Sequence, residues 1–184
     1  MSKTGRTPRV ITVKAPLTGN LMPIEEVPDQ VFARKLVGDG VAVDPSEGLV
    51  VAPVAARVET VFPSGHAVVL RPDPGVAVLI HVGIGTVRLA RAFEKVVQAG
   101  IHVREGDVLL RFDLDIVRRE AESAVSPVVI LNPPAGLCLR HCRPRPVRAG
   151  EDAILSILLP DLGRVGMDIY LDRREGAPRG PAHS

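Results

Sequence analysis

His66-Ala67-Val68-Val69-Leu70-Arg71-Pro72-Asp73-Pro74-Gly75-Val76-Ala77-Val78-Leu79-Ile80-His81-Val82 is the stretch on which the reading of this chain turns. Two apolar runs rich in β-branched residues flank a short segment with two prolines, an aspartate and a glycine. Such a segment is a strong turn signal, and the whole stretch predicts a β-hairpin. Centring the turn between Asp73 and Pro74 sets His66 opposite His81, with Cβ atoms roughly 4.5–5.5 Å apart. Val68, Leu70, Ala77 and Leu79 then share the histidines' face. The expectation is sensitive to register, because a slip of one residue sends facing side chains to opposite sides of the sheet.

Two facing imidazoles have a defined chemistry. Imidazole titrates near neutral pH, so one ring of a close pair can stay neutral while the other carries a proton. A neutral ring nitrogen is a nucleophile, and its neighbour can donate to an anion forming between them. That suits phosphoryl transfer to a ring nitrogen, and apolar surroundings would keep out the water that hydrolyses the product. The pair equally suits a metal ion, given further ligands. Two core histidines satisfied by backbone groups are the third reading.

Outward from the hairpin, short strands are predicted at 10–14, 19–22, 41–45, 49–52, 56–62, 101–103, 107–112, 128–131, 137–141 and 153–159. Residues 88–99 show near-helical spacing and predict one short helix, ended by Gly100. Asp113 is a candidate N-cap for a second helix to about Ser123, with Ile116 and Val117 inward. Seventeen Gly and seventeen Pro among 184 residues agree with many turns. The fold class is all-β: an antiparallel β-sandwich or barrel-like architecture with one or two short helices. Residues 147–152 (Val-Arg-Ala-Gly-Glu-Asp) faintly echo residues 103–107 (Val-Arg-Glu-Gly-Asp).

Composition narrows the function classes. The chain is 46% hydrophobic but 3% aromatic, so the core rests on Val, Ile, Leu and Ala. A net charge of +2 argues against electrostatically driven nucleic-acid binding, and few aromatics argue against a base-stacking surface. No run of about 18 apolar residues is present, so no membrane-spanning helix is expected. Residues 1–9 are basic without the apolar segment of a signal peptide and read as a disordered tail. With two cysteines and no export signal, the expected address is cytoplasmic with reduced thiols.

From Val10 to Leu159 the chain resembles the glucose-type enzyme IIA family of the bacterial phosphoenolpyruvate-dependent sugar phosphotransferase system. The likeness is carried by Ala15-Pro16-Leu17-Thr18-Gly19, by residues 27–42 (VPDQVFARKLVGDGVA) and by Val51-Ala52-Pro53-Val54. It continues through Ser64-Gly65-His66-Ala67, His81-Val82-Gly83-Ile84-Gly85-Thr86-Val87, Phe112-Asp113-Leu114 and Ser126-Pro127-Val128-Val129-Ile130-Leu131-Asn132. Order and spacing over some 150 residues are far more specific than one short motif. The resemblance implies a duplicated hybrid motif within the β fold, spanning residues 10–159, with 160–184 as a tail or linker. It implies that His81 is the phosphoryl acceptor, that His66 stabilises the transferred group, and that Ser64 orients the His66 ring. It further implies a donor, HPr, and an acceptor, the cysteine of a sugar-specific IIB domain. Phe32, Leu36, Val37, Phe62, Leu79, Gly83 and Val87 match the partner-docking surface. The family needs no metal or organic cofactor for this step.

Two departures stand out. The family usually carries aspartate where this chain has Gly85, which predicts a weaker encounter with a basic partner. It tends to carry Asp-Gly where this chain has Ala55-Ala56, which would be strained if that site needed a positive φ. Gly85 and the unusual tail motivate an alternative: a regulatory binding protein impaired in transfer, whose partners, as the resemblance implies, would be permeases or metabolic enzymes. A zinc hydrolase of similar β architecture is a further alternative. Cys138, His141 and Cys142 invite zinc by type, but no fourth ligand lies near, and they read as strand thiols and a surface histidine. His102 reads as a surface histidine. Glu25, Glu26, Asp29 and Asp39 read as solvated loop charges and caps.

Overall fold

The computed structural model describes residues 9–73, 76–133 and 136–159. Residues 1–8 of the expected tail at 1–9, the expected tail at 160–184, and the centre of the hairpin turn at 74–75 lie outside the described residues, while Arg9 opens the first strand rather than belonging to a tail. The strands are β1 (Arg9–Lys14), β2 (Gly19–Pro23), β3 (Gly38–Pro45), β4 (Leu49–Val51) and β5 (Ala56–Val61). Next come β6 (Ala67–Arg71), β7 (Val78–His81), β8 (Phe93–Lys95), β9 (His102–Val103) and β10 (Val108–Phe112). The last are β11 (Ser126–Leu131), β12 (Cys138–His141), β13 (Arg145–Val147) and β14 (Ala153–Leu159). Two short helices interrupt them, α1 (Gln30–Ala33) and α2 (Leu114–Glu120). Among the described residues every strand pairing is antiparallel, as the sequence predicts.

One eight-stranded sheet runs β13-β2-β3-β11-β7-β6-β5-β9, and two three-stranded sheets, β1-β14-β12 and β4-β10-β8, complete the structure. The central strands of the large sheet are buried on both faces. Val68, Leu70, Val78, Ile80, Val128 and Ile130 face the main core, which also holds Val13, Leu109, Leu110, Ile154, Leu155 and Ile157. Ala67, Val69, Leu79 and Val129 face a second, smaller core with Ile24, Val27, Phe32 and Ile84. A strand covered on both faces has no polar side to show, which is why 67–70 and 76–80 read as unbroken apolar runs.

The hairpin exists, but its register differs from the expectation by one residue. Ala67, not His66, pairs with His81, followed by Val68 with Ile80 and Val69 with Leu79. Val68 and Leu70 therefore face the main core rather than the histidines, while Ala77 and Leu79 keep the predicted side. The helix expected over 88–99 is replaced by a 3-10 turn, Ala90–Ala92, followed by β8, which pairs with β10. Helical and strand periods cannot be told apart over so few apolar residues, and pairing with β10 decides. α1 was not expected: Asp29 caps it, its carboxylate accepting from the Val31 and Phe32 amides. α2 is capped by Asp113 as predicted, with Val117 buried. Among the described residues Lys35 and Asn132 are the non-glycine positions at positive φ, so Ala55 and Ala56 carry no such strain.

The faint echo between 103–107 and 147–152 has a structural counterpart. Asp107 accepts from the Arg104 amide at 2.7 Å, and Asp152 accepts from the Arg148 amide at 2.8 Å. Gly106 and Gly150 both take left-handed conformations (φ +86 and +74).

Candidate active site

Each histidine is placed by a tight turn. Phe62-Pro63-Ser64-Gly65 joins β5 to β6, closed by the Gly65 amide donating to the Phe62 carbonyl at 2.8 Å. Proline presets its own φ, and Gly65 takes φ +80, where a Cβ would lie 2.9 Å from Phe93 Cβ. His66 thus leaves the turn just before the first ladder residue. Strict alternation would aim it at the main core, yet its ring lies against His81, with centroids 4.8 Å apart and planes at 75°. The bend at Gly65 and His66, not the pleat, brings the rings together. The His66 carbonyl still accepts from the Val82 amide at 2.8 Å, tying the two turns.

His81 ends β7 and opens a glycine turn. Gly83 has φ +67, and a Cβ there would sit 2.7 Å from Thr86 Cγ2 and 2.9 Å from the Ser123 carbonyl oxygen. The Gly83 carbonyl oxygen lies 2.8 Å from His81 Nδ1 and can only accept, so Nδ1 carries the hydrogen. Ser126 Oγ accepts from the Gly83 amide at 3.0 Å and donates to the Ala124 carbonyl, while buried Thr86 donates to the Val82 carbonyl at 2.7 Å. Ser126 and Thr86 were legible only as motif letters; their work here is to fix the loop that aims His81. We expect Gly83→Ala to cost about 2 kcal/mol or more, combining a positive-φ penalty with overpacking. Urea unfolding reads the loss.

Ser64 Oγ lies 2.5 Å from His66 Nδ1. Both Nδ1 atoms are therefore engaged, and among the described residues neither Nε2 has a hydrogen-bond partner. Phe32 tilts against His81 at 5.3 Å and Phe62 meets His66 edge-on at 5.4 Å. Around them Val31, Leu36 and Val87 are exposed apolar residues, Leu36 and Val87 at 63% and 61%. Leu36 projects because α1 ends in a Schellman arrangement, the Leu36 amide bonding the Val31 carbonyl and the Lys35 amide the Phe32 carbonyl. Lys35 takes the left-handed position at φ 56 and pairs with Glu25 (2.8 Å) and Asp39 (3.0 Å). Val37 and Phe62 are half-buried, and Leu79 and Gly83 are buried. Of the residues selected from the sequence, Phe32 and Phe62 touch the rings, Val37 and Leu79 pack with these phenylalanines in the second core, and Leu36 and Val87 stand exposed.

Burial pushes the His66 ring down to about 4, with the nearby His81 adding to the shift. Burial also lowers His81, partly opposed by the Gly83 hydrogen bond and the charge of Asp29. Both rings are neutral at pH 7. His66 binds its proton in the unfolded chain before the folded one, so its contribution to stability is present above pH 6.5. It is lost as pH falls from 6.5 to 4. Urea midpoints across that window should fall for the native chain and fall clearly less for His66→Gln.

The remaining candidates lie elsewhere. His141 reaches Asp39 at 3.5 Å, and Cys138 and Cys142 are free thiols. Among the described residues no group of three or more His, Cys, Asp or Glu converges to hold a metal ion. His102 is exposed on β9. Among the described residues no helix is long and apolar enough to cross a membrane.

A family model described as phosphoenolpyruvate-dependent sugar phosphotransferase system, EIIA 1, matches residues 11–135. A protein of Staphylococcus aureus (strain Mu50) named PTS system glucose-specific EIIA component is 39% identical over 150 residues, covering 81% of this chain and 90% of that one. The protein of the same name from Oceanobacillus iheyensis is 40% identical over 154 residues, covering 83% and 93%. The solved structure of glucose permease IIA from Mycoplasma capricolum superposes with a TM-score of 0.75 at 31% identity, covering 80% of this chain and 96% of that one.

Proposed function

This chain belongs to the EIIA 1 family of the phosphoenolpyruvate-dependent sugar phosphotransferase system, as a phosphocarrier in sugar uptake, and we propose that His81 is the residue that carries the phosphoryl group. The observation behind this is the hydrogen bonding of the two rings. With its Nδ1 hydrogen on the Gly83 carbonyl, neutral His81 keeps a lone pair on Nε2, the nucleophile for phosphorus. In the proposed step the phosphorus–nitrogen bond of phosphohistidine on HPr breaks as a new one forms to His81 Nε2. The Nδ1 hydrogen stays in place, and the Gly83 carbonyl stabilises the positive charge spread over the ring. Positioning and charge stabilisation supply the catalysis.

Neutral His66 serves as donor to the transferred group when Ser64 donates its hydroxyl hydrogen into Nδ1, leaving the ring hydrogen on Nε2. Once a phosphoryl dianion sits beside it, the cationic form of His66 is favoured as well. The apolar rim around the rings restricts water and gives HPr and the IIB domain a surface to dock on. The group then leaves His81 Nε2 for the cysteine sulfur of IIB. A carrier that serves the cytoplasmic side of a membrane permease works in the cytoplasm, and that is the location this reading implies. Relatives named for glucose make glucose the first sugar to test.

The experiment is a reconstituted relay with phosphoenolpyruvate, enzyme I, HPr and membranes holding a glucose IIBC permease. Glucose phosphate that forms only when this protein is added supports the carrier role. Phosphorylation of the protein without any sugar phosphate would restrict glucose as the sugar, and no phosphorylation would reject the carrier assignment.

A further inference from the structure

Glu122 lies across the face of Gly85. A Cβ built on Gly85 would fall 3.0 Å from Glu122 Cγ and 3.1 Å from its Oε1. The glutamate is anchored from both sides of its main chain. Its own amide donates to the Ile84 carbonyl at 3.0 Å, and the Ile84 amide donates to the Ser123 carbonyl at 2.8 Å, an isolated bridge between the His81 turn and the end of α2. Its main chain is therefore tied to the turn that aims His81, at Ile84, three residues from that histidine. Nearby carboxylates are already occupied: Glu120 pairs with Arg91, Glu25 and Asp39 with Lys35, and Asp29 caps α1. Among the described residues Glu122 makes no ion pair and no side-chain hydrogen bond, and it is exposed.

We propose that Glu122 is the docking carboxylate of this site, receiving a cationic side chain of the phosphoryl donor. This rests on the carrier role set out above. A donor that presents a phosphoryl dianion stabilises it with hydrogen-bond donors and positive charge, and a cationic side chain placed there reaches the rim of the acceptor site on docking. An unpaired carboxylate at the rim complements such a face and acts chiefly on the encounter rate and its salt dependence. The side chain of Glu122 fills the space that a side chain at Gly85 would take. The loss of negative charge expected from glycine at position 85 is thereby made good from a different segment, the bend after α2.

The test is the rate of phosphorylation by phospho-HPr, at varied donor concentration and salt, for the native protein, Glu122→Gln, Glu122→Lys, Glu122→Ala and the double variant Gly85→Asp with Glu122→Ala. The expected result is a drop of about threefold in kcat/KM for Glu122→Gln and about tenfold or more for Glu122→Lys, with kcat at saturating donor retained and a flatter salt dependence. The double variant, which returns a carboxylate to the same space, should recover most of the loss relative to Glu122→Ala alone. Rates for Glu122→Lys within twofold of native, or a fall in kcat with KM unchanged, would overturn the docking role while the carrier role stands. A native protein that takes up no phosphoryl group would overturn both.

Discussion

His66→Gln is expected to take up a phosphoryl group and then hold it. The rate of transfer to IIB should fall by at least a hundredfold, while uptake from phospho-HPr stays within about tenfold of native. The asymmetry follows from the site. Acceptance needs the lone pair on His81 Nε2, and that is fixed by the Gly83 carbonyl, not by His66. Release needs charge on the departing group to be stabilised as its bond to His81 loosens, and the neighbouring ring is placed 4.8 Å away to do this. Glutamine can donate one hydrogen bond but cannot become a cation. A preorganised donor to developing charge is worth roughly 3–4 kcal/mol, or 10²–10³ in rate. Stopped-flow transfer from the isolated phosphorylated variant to IIB measures the effect. Equal loss in both half-reactions would mean that His66 acts on both steps and that the assigned division of labour is wrong.

His81→Ala has the larger effect: no phosphoryl group should be taken up at all. Removing the ring removes the nucleophile, and His66 cannot substitute for it. Its Nδ1 is engaged by Ser64, and in the tautomer proposed here its Nε2 carries the hydrogen. The half-buried His81 side chain ends β7 rather than filling the main core, so alanine should leave the fold intact. Circular dichroism and a urea titration of the variant check that point. A variant that is still phosphorylated would move the acceptor elsewhere, with His66 the first position to examine.

Much of this arrangement was legible in the residues. The two histidines, the serine before the first and the glycine turn after the second were all visible, as was the all-β architecture. The register was not. Turn residues announce a reversal of the chain without fixing the number of residues in the loop, and a slip of one residue costs nothing in the apolar pattern when both faces of the strand are buried. Val68 and Leu70 are apolar for the main core, whereas Ala67 and Val69 are apolar for the second one. Either register satisfies such a sequence. The rings meet all the same because Gly65 bends the chain immediately before His66.

The short helix α1 was hidden for a different reason. Four residues give no periodicity, and only the Asp29 cap marks it. Its Schellman ending then sets Lys35 in a left-handed conformation, which few would assign to a lysine, and so throws Leu36 into solvent at the rim. Glu122 was invisible as a site residue because nothing in its sequence neighbourhood points to Gly85. The contact exists only once the end of α2 is bonded to Ile84.

The central claim is that His81 carries the phosphoryl group on its Nε2. Intact-mass spectrometry after incubation with phosphoenolpyruvate, enzyme I and HPr, followed by phosphorus-31 NMR of the product, tests it most directly. The account predicts a single acid-labile phosphoryl group, with the chemical shift of an Nε2-phosphorylated histidine, absent from His81→Ala. An unmodified protein beside an active control enzyme IIA, or a single phosphoryl group that persists in His81→Ala, would contradict it.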